Sequence, residues 1–273
     1  MRIVVVGGAG LVGARLVTVL RGRGHDAVAA SRRTGVDTWT GAGLAAAVAG
    51  AEVVVDATNT PDFTRAGEFF PASAVHIADA AAGAGVRRSV LLSVVGVDRV
   101  PGNPYFAAKV AQERAAAEGV PTTVLRATQF FEFADAVADQ GTVDGRVRVG
   151  ADVVQPVAVD DVVDVLADLA TGTGGQAGRV DLAGPERMPT DVWVRRVLTA
   201  AGDPREVQVD PAADPFGTGG TPGLLVPSDA PDAGVGGRAA TTTQATRRAA
   251  RARGARGRRR RPPRGRGGGG GAA

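Results

Sequence analysis

The chain of 273 residues contains no cysteine, which excludes disulfides and thiolate chemistry. Lysine is nearly as scarce: Lys109 is the only one among 32 basic residues. Tyr105 is the only tyrosine, and aromatic residues make up 4% of the chain. The two histidines, His25 and His76, have no second ligand at useful spacing, so no metal site is expected. No uncharged apolar run approaches the ~20 residues that span a bilayer. The first residues already read as a strand, which leaves no room for a leader peptide. The expectation is a soluble, cytoplasmic protein with no membrane partner.

Acidic residues are missing from one region only. Residues 238–273 hold 12 of the 32 basic residues and no acid, so residues 1–237 carry 20 basic against 28 acidic residues, a net −8. The basic balance therefore belongs to the tail. Residues 211–237 are rich in Pro, Gly and Asp and read as a linker. Residues 238–273 lack the apolar side chains needed to offset ordering entropy and read as a disordered tail. Nucleic acid could be held only through this Arg/Gly-rich tail, which has no aromatic residue for base stacking. An ending read out of frame from GC-rich DNA is ranked ahead of a nucleic-acid arm.

What is present begins at the first residue. The run Ile3-Val4-Val5-Val6 leads into Gly7, Gly10 and Gly13, spaced three apart, and then into an apolar-periodic stretch, Leu11, Val12, Leu16, Val17, Val19 and Leu20. A buried strand that ends at a helix N-terminus is an anion site, because free amide N–H groups and the helix dipole face the same point. Gly7 permits the tight turn, Gly10 the approach of phosphates, and Gly13 close helix packing. Further on, strands and helices alternate as a doubly wound sheet requires. Strands are expected at 2–7, 27–30, 52–56, 89–93, 122–126 and 179–182. Helices are expected at 11–22, 41–49, 71–84, 104–118, 130–139, 160–170 and 190–201. A weak hairpin at 143–149 and a strand-like 153–159 interrupt the pattern. The fold class is α/β: a Rossmann-like, doubly wound parallel sheet over 1–210, with a small C-terminal substrate lobe built from about 127–150 and 184–210.

One constellation carries chemistry. Ser93 ends a strand, and Tyr105 and Lys109 stand four apart on the next helix, sharing a face. An ammonium near a phenol lowers the phenol pKa and suits it to acid/base work. The same ammonium can hold a ribose, and a serine hydroxyl can hold a carbonyl oxygen.

On these residues, with Pro156-Val-Ala-Val-Asp160-Asp161 and Leu182-Ala-Gly-Pro185-Glu186, residues 1 to about 210 resemble the short-chain dehydrogenase/reductase superfamily. The likeness is nearest to its atypical NAD(P)H-binding branch, close to NmrA-like and quinone-oxidoreductase-like proteins. The resemblance implies that Ser93, Tyr105 and Lys109 are catalytic. It also implies that Gly7, Gly10, Leu11, Val12, Gly13, Thr58, Asn59 and Lys109 bind the cofactor, and that Gln129, Phe130 and Phe131 lie near the substrate. Many atypical members lose the tyrosine; its retention here favours an enzyme.

The end of the second strand reads Ala30-Ser31-Arg32-Arg33, with no acid to accept from a ribose 2′-OH. Ser31, Arg32 and Arg33 suit a 2′-phosphate, so NADP is expected over NAD. Asp160 is expected to cap its helix, with Asp164 and Asp168 on a solvated face. The function expected is hydride transfer between NADPH and a small carbonyl or quinone-like substrate. A non-catalytic NAD(P)H-binding regulator and a nucleotide-sugar epimerase or dehydratase are the alternatives.

Overall fold

A computed structural model describes residues 1–172 and 178–228. The elements are β1 (Arg2–Val6), α1 (Leu11–Gly22), β2 (Asp26–Ala30), α2 (Leu44–Val48), β3 (Val53–Asp56), α3 (Ala66–Gly83), β4 (Arg88–Val94), α4 (Pro104–Ala117) and β5 (Thr122–Ala127). They continue with α5 (Ala134–Gln140), β6 (Thr142–Val143), β7 (Arg146–Val149), β8 (Val153–Val154), α6 (Val159–Thr171), β9 (Gly178–Leu182), β10 (Met188–Pro189), α7 (Thr190–Ala201) and β11 (Val207–Val209). Six strands form one parallel sheet in the order β2-β1-β3-β4-β5-β9. The order reverses between β1 and β3, and this switch point is where a doubly wound sheet opens a crevice at its carboxyl edge.

The uninterrupted apolar run of β1 is explained by burial on both faces. Ile3 and Val5 enter a core with Val12, Leu16 and Leu20 of α1 and Val162, Val163 and Leu166 of α6. Val4 and Val6 enter the opposite core with Leu44 and Val48 of α2 and Ile77 and Ala81 of α3. A separate cluster around Trp193 joins α5, β7, α7 and β11 into a lobe at the carboxyl edge.

Several local expectations need correction. Helix α3 starts at Ala66 rather than at Pro71; the proline lies inside the helix, where it forgoes one backbone hydrogen bond. Only Val153–Val154 of the strand-like 153–159 is a strand, paired antiparallel with β10. Asp160 does not cap α6. Ala158 is the N-cap, the Glu132 carboxylate accepts from Val159 N–H at 3.2 Å, and Asp160 pairs with Arg15 at 2.8 Å. Asp164 and Asp168 do lie on an exposed face, where both pair with Arg23, the residue that caps the end of α1. Within residues 211–228, read from composition as part of a linker, Thr218, Leu225 and Val226 are buried, while much of the rest is exposed. The remainder of that expected linker and the whole tail lie outside the described residues. Among the described residues no helix is long and apolar enough to cross a membrane.

Candidate functional site

The corner between β1 and α1 is built by glycine geometry. Gly7 turns with φ +78°, and its N–H and that of Gly8 both donate to Ala30 O at 3.0 and 3.1 Å. A Cβ on Gly7 would stand 2.5 Å from Ala57 O, one on Gly8 2.7 Å from Ala29 Cα, and one on Gly13 would overlap Gly7 O. These three glycines hold β1, β2, β3 and α1 in contact. A Cβ on Gly10 would meet only Gly7 O, at 3.2 Å, so folding alone does not demand glycine there. Gly8 was missed by the sequence reading, although with Gly10 and Gly13 it spells Gly-x-Gly-x-x-Gly. The amides of Leu11, Val12 and Gly13 have no intrahelical acceptor, and the first turn of α1 carries no acid. The corner fits a pyrophosphate.

Two neighbouring strand ends complete this side. After β2, the Thr34 hydroxyl accepts from Ser31 N–H and donates to Ser31 O, both at 2.9 Å, closing a short turn. Arg33 reaches back to Ala9 O at 3.3 Å and so overlies the glycine corner, while Arg32 is exposed. The Ser31 hydroxyl oxygen is buried with no partner among the described residues. After β3, Thr58 N–H donates to Asp56 Oδ1 at 2.8 Å and lies beside Gly7. Asn59 turns its carbonyl to Thr60 N–H, 3.0 Å away.

The Ser93, Tyr105 and Lys109 trio is only partly brought together. Asn103 caps α4 through Tyr105 N–H at 2.9 Å, and Pro104 occupies the first helical position. This starts the helix so that Tyr105 and Lys109 both touch Phe70. The two rings meet edge to face at 5.6 Å, and the Lys109 ammonium lies 4.7 Å from the Phe70 centroid. Lys109 does not serve the phenol. Its Nζ donates to Leu92 O at 3.0 Å and to Gln112 Oε1. Burial pulls its pKa down to about 8, against the opposing charges of Asp56 and Glu113. The Tyr105 phenol is pushed up to about 12 by burial, the reverse of the lowering expected from a lysine partner. Among the described residues no hydrogen bond reaches its hydroxyl. Ser93 is buried and donates to Glu113 Oε1 instead of facing Tyr105.

Three groups behind this arrangement were missed by the sequence reading. Gln112, fully buried, accepts from Lys109 and donates to Asp56 Oδ2 at 3.0 Å and Thr58 Oγ1 at 3.4 Å. Glu113 is gripped by Arg126 through two bonds of 2.9 and 2.6 Å, and Arg126 also reaches Asp98 at 2.9 Å. That contact keeps the Asp98 carboxyl below its usual range, although burial works against it. An arginine inside the apolar strand Thr122–Ala127 was the available signal, since a buried charge requires a partner.

The expected substrate residues are differently employed. Phe131 is a buried member of the lobe core, and Phe130 packs into the core that contains α1 and α6. Gln129 donates to Leu225 O at 3.1 Å and accepts from Gln155 N–H at 3.3 Å. Arg99 holds Val226 O, Asn103 holds Gly217 O at 3.1 Å, and Arg187 holds Pro227 O at 2.8 Å. The segment 216–227 is thus strapped by its own carbonyls across the loops that follow β4 and β5. A Cβ on Gly96 would overlap Leu224 O, so this crossing needs glycine below it.

Residues 3–98 match the family described as NAD dependent epimerase/dehydratase. No curated protein matches the chain significantly. The fold is shared with a short-chain dehydrogenase/reductase superfamily protein from Agrobacterium tumefaciens with bound NAD, at 17% identity and TM-score 0.69 over 95% of this chain and 100% of that one. A dTDP-4-dehydrorhamnose reductase from Bacillus anthracis in complex with NADP aligns at 16% identity and TM-score 0.64, over 77% and 84% of the two chains. A UDP-glucose 4-epimerase from Thermus thermophilus in complex with NAD aligns at 20% identity and TM-score 0.62, over 78% and 88%. At such identities the likeness establishes the fold.

Proposed function

We propose that the protein is an NAD(P)H-dependent oxidoreductase that reduces a small carbonyl or quinone-like substrate, with NADP preferred. One observation carries the reading. A chain of hydrogen bonds runs from Thr58, beside the glycine corner, through Gln112 to Lys109, one helical turn from Tyr105. The glycine corner is thereby linked to Lys109, and Lys109 and the Tyr105 ring share the face of Phe70. Gly7, Gly10, Gly13 and the first amides of α1 would hold the pyrophosphate; Arg32, Arg33 and Ser31 would meet a 2′-phosphate. The bound nicotinamide supplies hydride chemistry. Tyr105, with its pKa near 12, keeps its proton at neutral pH and has a hydroxyl free to donate to a substrate oxygen. Lys109 would position Gln112 and the helix rather than tune the phenol. Ser93, committed to Glu113, would act through that carboxylate on the β4–α4 junction. The NmrA-like and quinone-oxidoreductase-like affinity belongs to this same reading.

The family match over residues 3–98 favours a second reading, epimerase or dehydratase chemistry, for which the dTDP- and UDP-sugar enzymes that share the fold suggest a nucleotide-linked sugar. An NAD(P)H-oxidation screen against quinones, ketones, aldehydes and dTDP- or UDP-linked keto-sugars separates the two. Wild type is expected to oxidise NADPH faster than NADH with a simple carbonyl or quinone. Tyr105→Phe is expected to lose ~10²–10⁴-fold in turnover with NADPH affinity unchanged. Turnover confined to the sugar nucleotides would install the second reading. Tight NADPH binding with no turnover on any substrate would leave a regulator.

A further inference from the structure

The chain holds eleven aromatic residues: eight Phe, two Trp and one Tyr. Six of them, from four separate stretches of sequence, meet in one edge-to-face network. Trp39 meets Phe69 at 5.9 Å, Phe69 meets Phe70 at 5.3 Å, and Phe70 meets Tyr105 at 5.6 Å. Tyr105 in turn meets Phe106 at 5.5 Å and Phe63 at 5.4 Å. A core needs no such concentration, since the two cores that flank the sheet are filled mainly with Val, Leu and Ala and hold one aromatic ring, Phe130, between them. The network is closed at most of its edges. Phe70 is fully buried, and the Arg65 guanidinium covers Trp39 at 3.8 Å. Phe63 is its open end: 62% exposed, on the loop after β3, with its ring against the half-buried Tyr105.

The polar groups around this open end are already engaged. Arg65 lies on Trp39 and pairs with Glu68, Arg99 is bound to Val226 O, and Lys109 is buried on Leu92 O and Gln112. A diphosphate arriving beside Tyr105 would therefore find no uncommitted cation on the β3–α3 loop or the β4–α4 connection. A flat π-system would find an exposed ring, with the phenol as its immediate neighbour, at a geometry that favours stacked or edge-to-face contact.

We infer that Phe63 is a specificity-determining residue that receives a flat aromatic compound against Tyr105 and disfavours a nucleotide-linked sugar. That this compound is a substrate rests on the oxidoreductase reading; the binding site does not.

The test is a binding titration without turnover. Full-length protein saturated with NADP⁺ is titrated with 1,4-naphthoquinone by calorimetry, a safe probe here because the chain has no cysteine to form adducts. Phe63→Ala should weaken naphthoquinone about tenfold, while Phe63→Trp restores it and NADP⁺ affinity stays unchanged in both. Millimolar UDP-glucose should not displace the quinone. Three results would each overturn the inference: no naphthoquinone binding by wild type, an affinity in Phe63→Ala within twofold of wild type, or displacement by UDP-glucose. Phe63-dependent binding without any NADPH oxidation would retire the oxidoreductase reading and leave the aromatic site standing.

Discussion

Tyr105 and Lys109 stand one helical turn apart, and burial drives their acid strengths in opposite directions, from nearly equal ordinary values to about 12 and about 8. The consequence is a stability profile with a calculable sign. The folded pKa of Lys109 lies below its unfolded value of 10.5. Between about pH 8 and 10.5 the unfolded chain therefore binds more protons, and stability rises with pH. Below about pH 8 the lysine is charged in both states, and the net cost of burying its charge, about 3 kcal/mol, is fully present. Tyr105 acts in the opposite sense. Its folded pKa lies above the unfolded 10.0, so stability falls between about pH 10 and 12. Urea unfolding from pH 7 to 11 should show a maximum near pH 10. Lys109→Met should flatten the rise, and Tyr105→Phe should flatten the fall. A wild-type profile without a rise above pH 8 would mean that the ammonium is not buried as described.

At the scale of elements, the β1–turn–α1 unit separates two kinds of glycine. Gly13 is needed for packing, because a Cβ there would overlap Gly7 O; a Cβ on Gly10 would stand 3.2 Å from the same atom, a tight contact relieved by a shift of a few tenths of an ångström. Gly10→Val should therefore fold, losing about 1 kcal/mol at the helix cap, yet fail to bind NADPH because the branched side chain stands where phosphates approach. Gly13→Val should lose about 1–3 kcal/mol or more through overpacking. Thermal melts beside fluorescence titration distinguish the two. NADPH binding retained by folded Gly10→Val would remove the phosphate assignment. Helix α4 shows a second element at work: Asn103 and Pro104 set its start, and that start determines which of its side chains face Phe70, Asp56 and Ser93.

For the whole molecule, the decisive contacts join the last described segment to the sheet. Leu225 packs with Val97, Val100 and Phe106, and Phe216 stacks on Trp193 at 6.4 Å, so one segment ties the β4–α4 connection to the lobe. A chain ending after Ser228 should keep the melting temperature and NADPH affinity of the full protein. One ending after Asp210 should lose roughly 3–6 kcal/mol, the burial of two large apolar side chains, and melt far lower. Equal melting of the two truncated chains would show that the strap is not integral to the fold.

The amino-acid sequence by itself determined what depends on neighbours along the chain. The two-sided burial of Ile3–Val6, the glycine corner, the Asn103-Pro104 helix start and the helix periods of α1, α6 and α7 are legible because alternation, left-handed φ and capping act over a few residues. Tertiary structure alone decided which polar atoms meet. A shared helix face suggested that Lys109 would serve Tyr105, but the buried Gln112–Asp56 pair and Leu92 O hold its ammonium instead. Ser93 is claimed by Glu113, itself oriented by Arg126 from the adjacent strand. Gln129 is claimed by Leu225, 96 residues away. Composition read residues 211–237 as a linker because Pro, Gly and Asp abound there; four side-chain donors on distant elements nonetheless hold carbonyls between 217 and 227, and carbonyls leave no signature in a sequence. Nor could spacing reveal that rings at 39, 63, 69, 70, 105 and 106 converge, since only the packing of α3 against α4 and of the loops after β2 and β3 links them pair by pair at centroid distances under 6 Å.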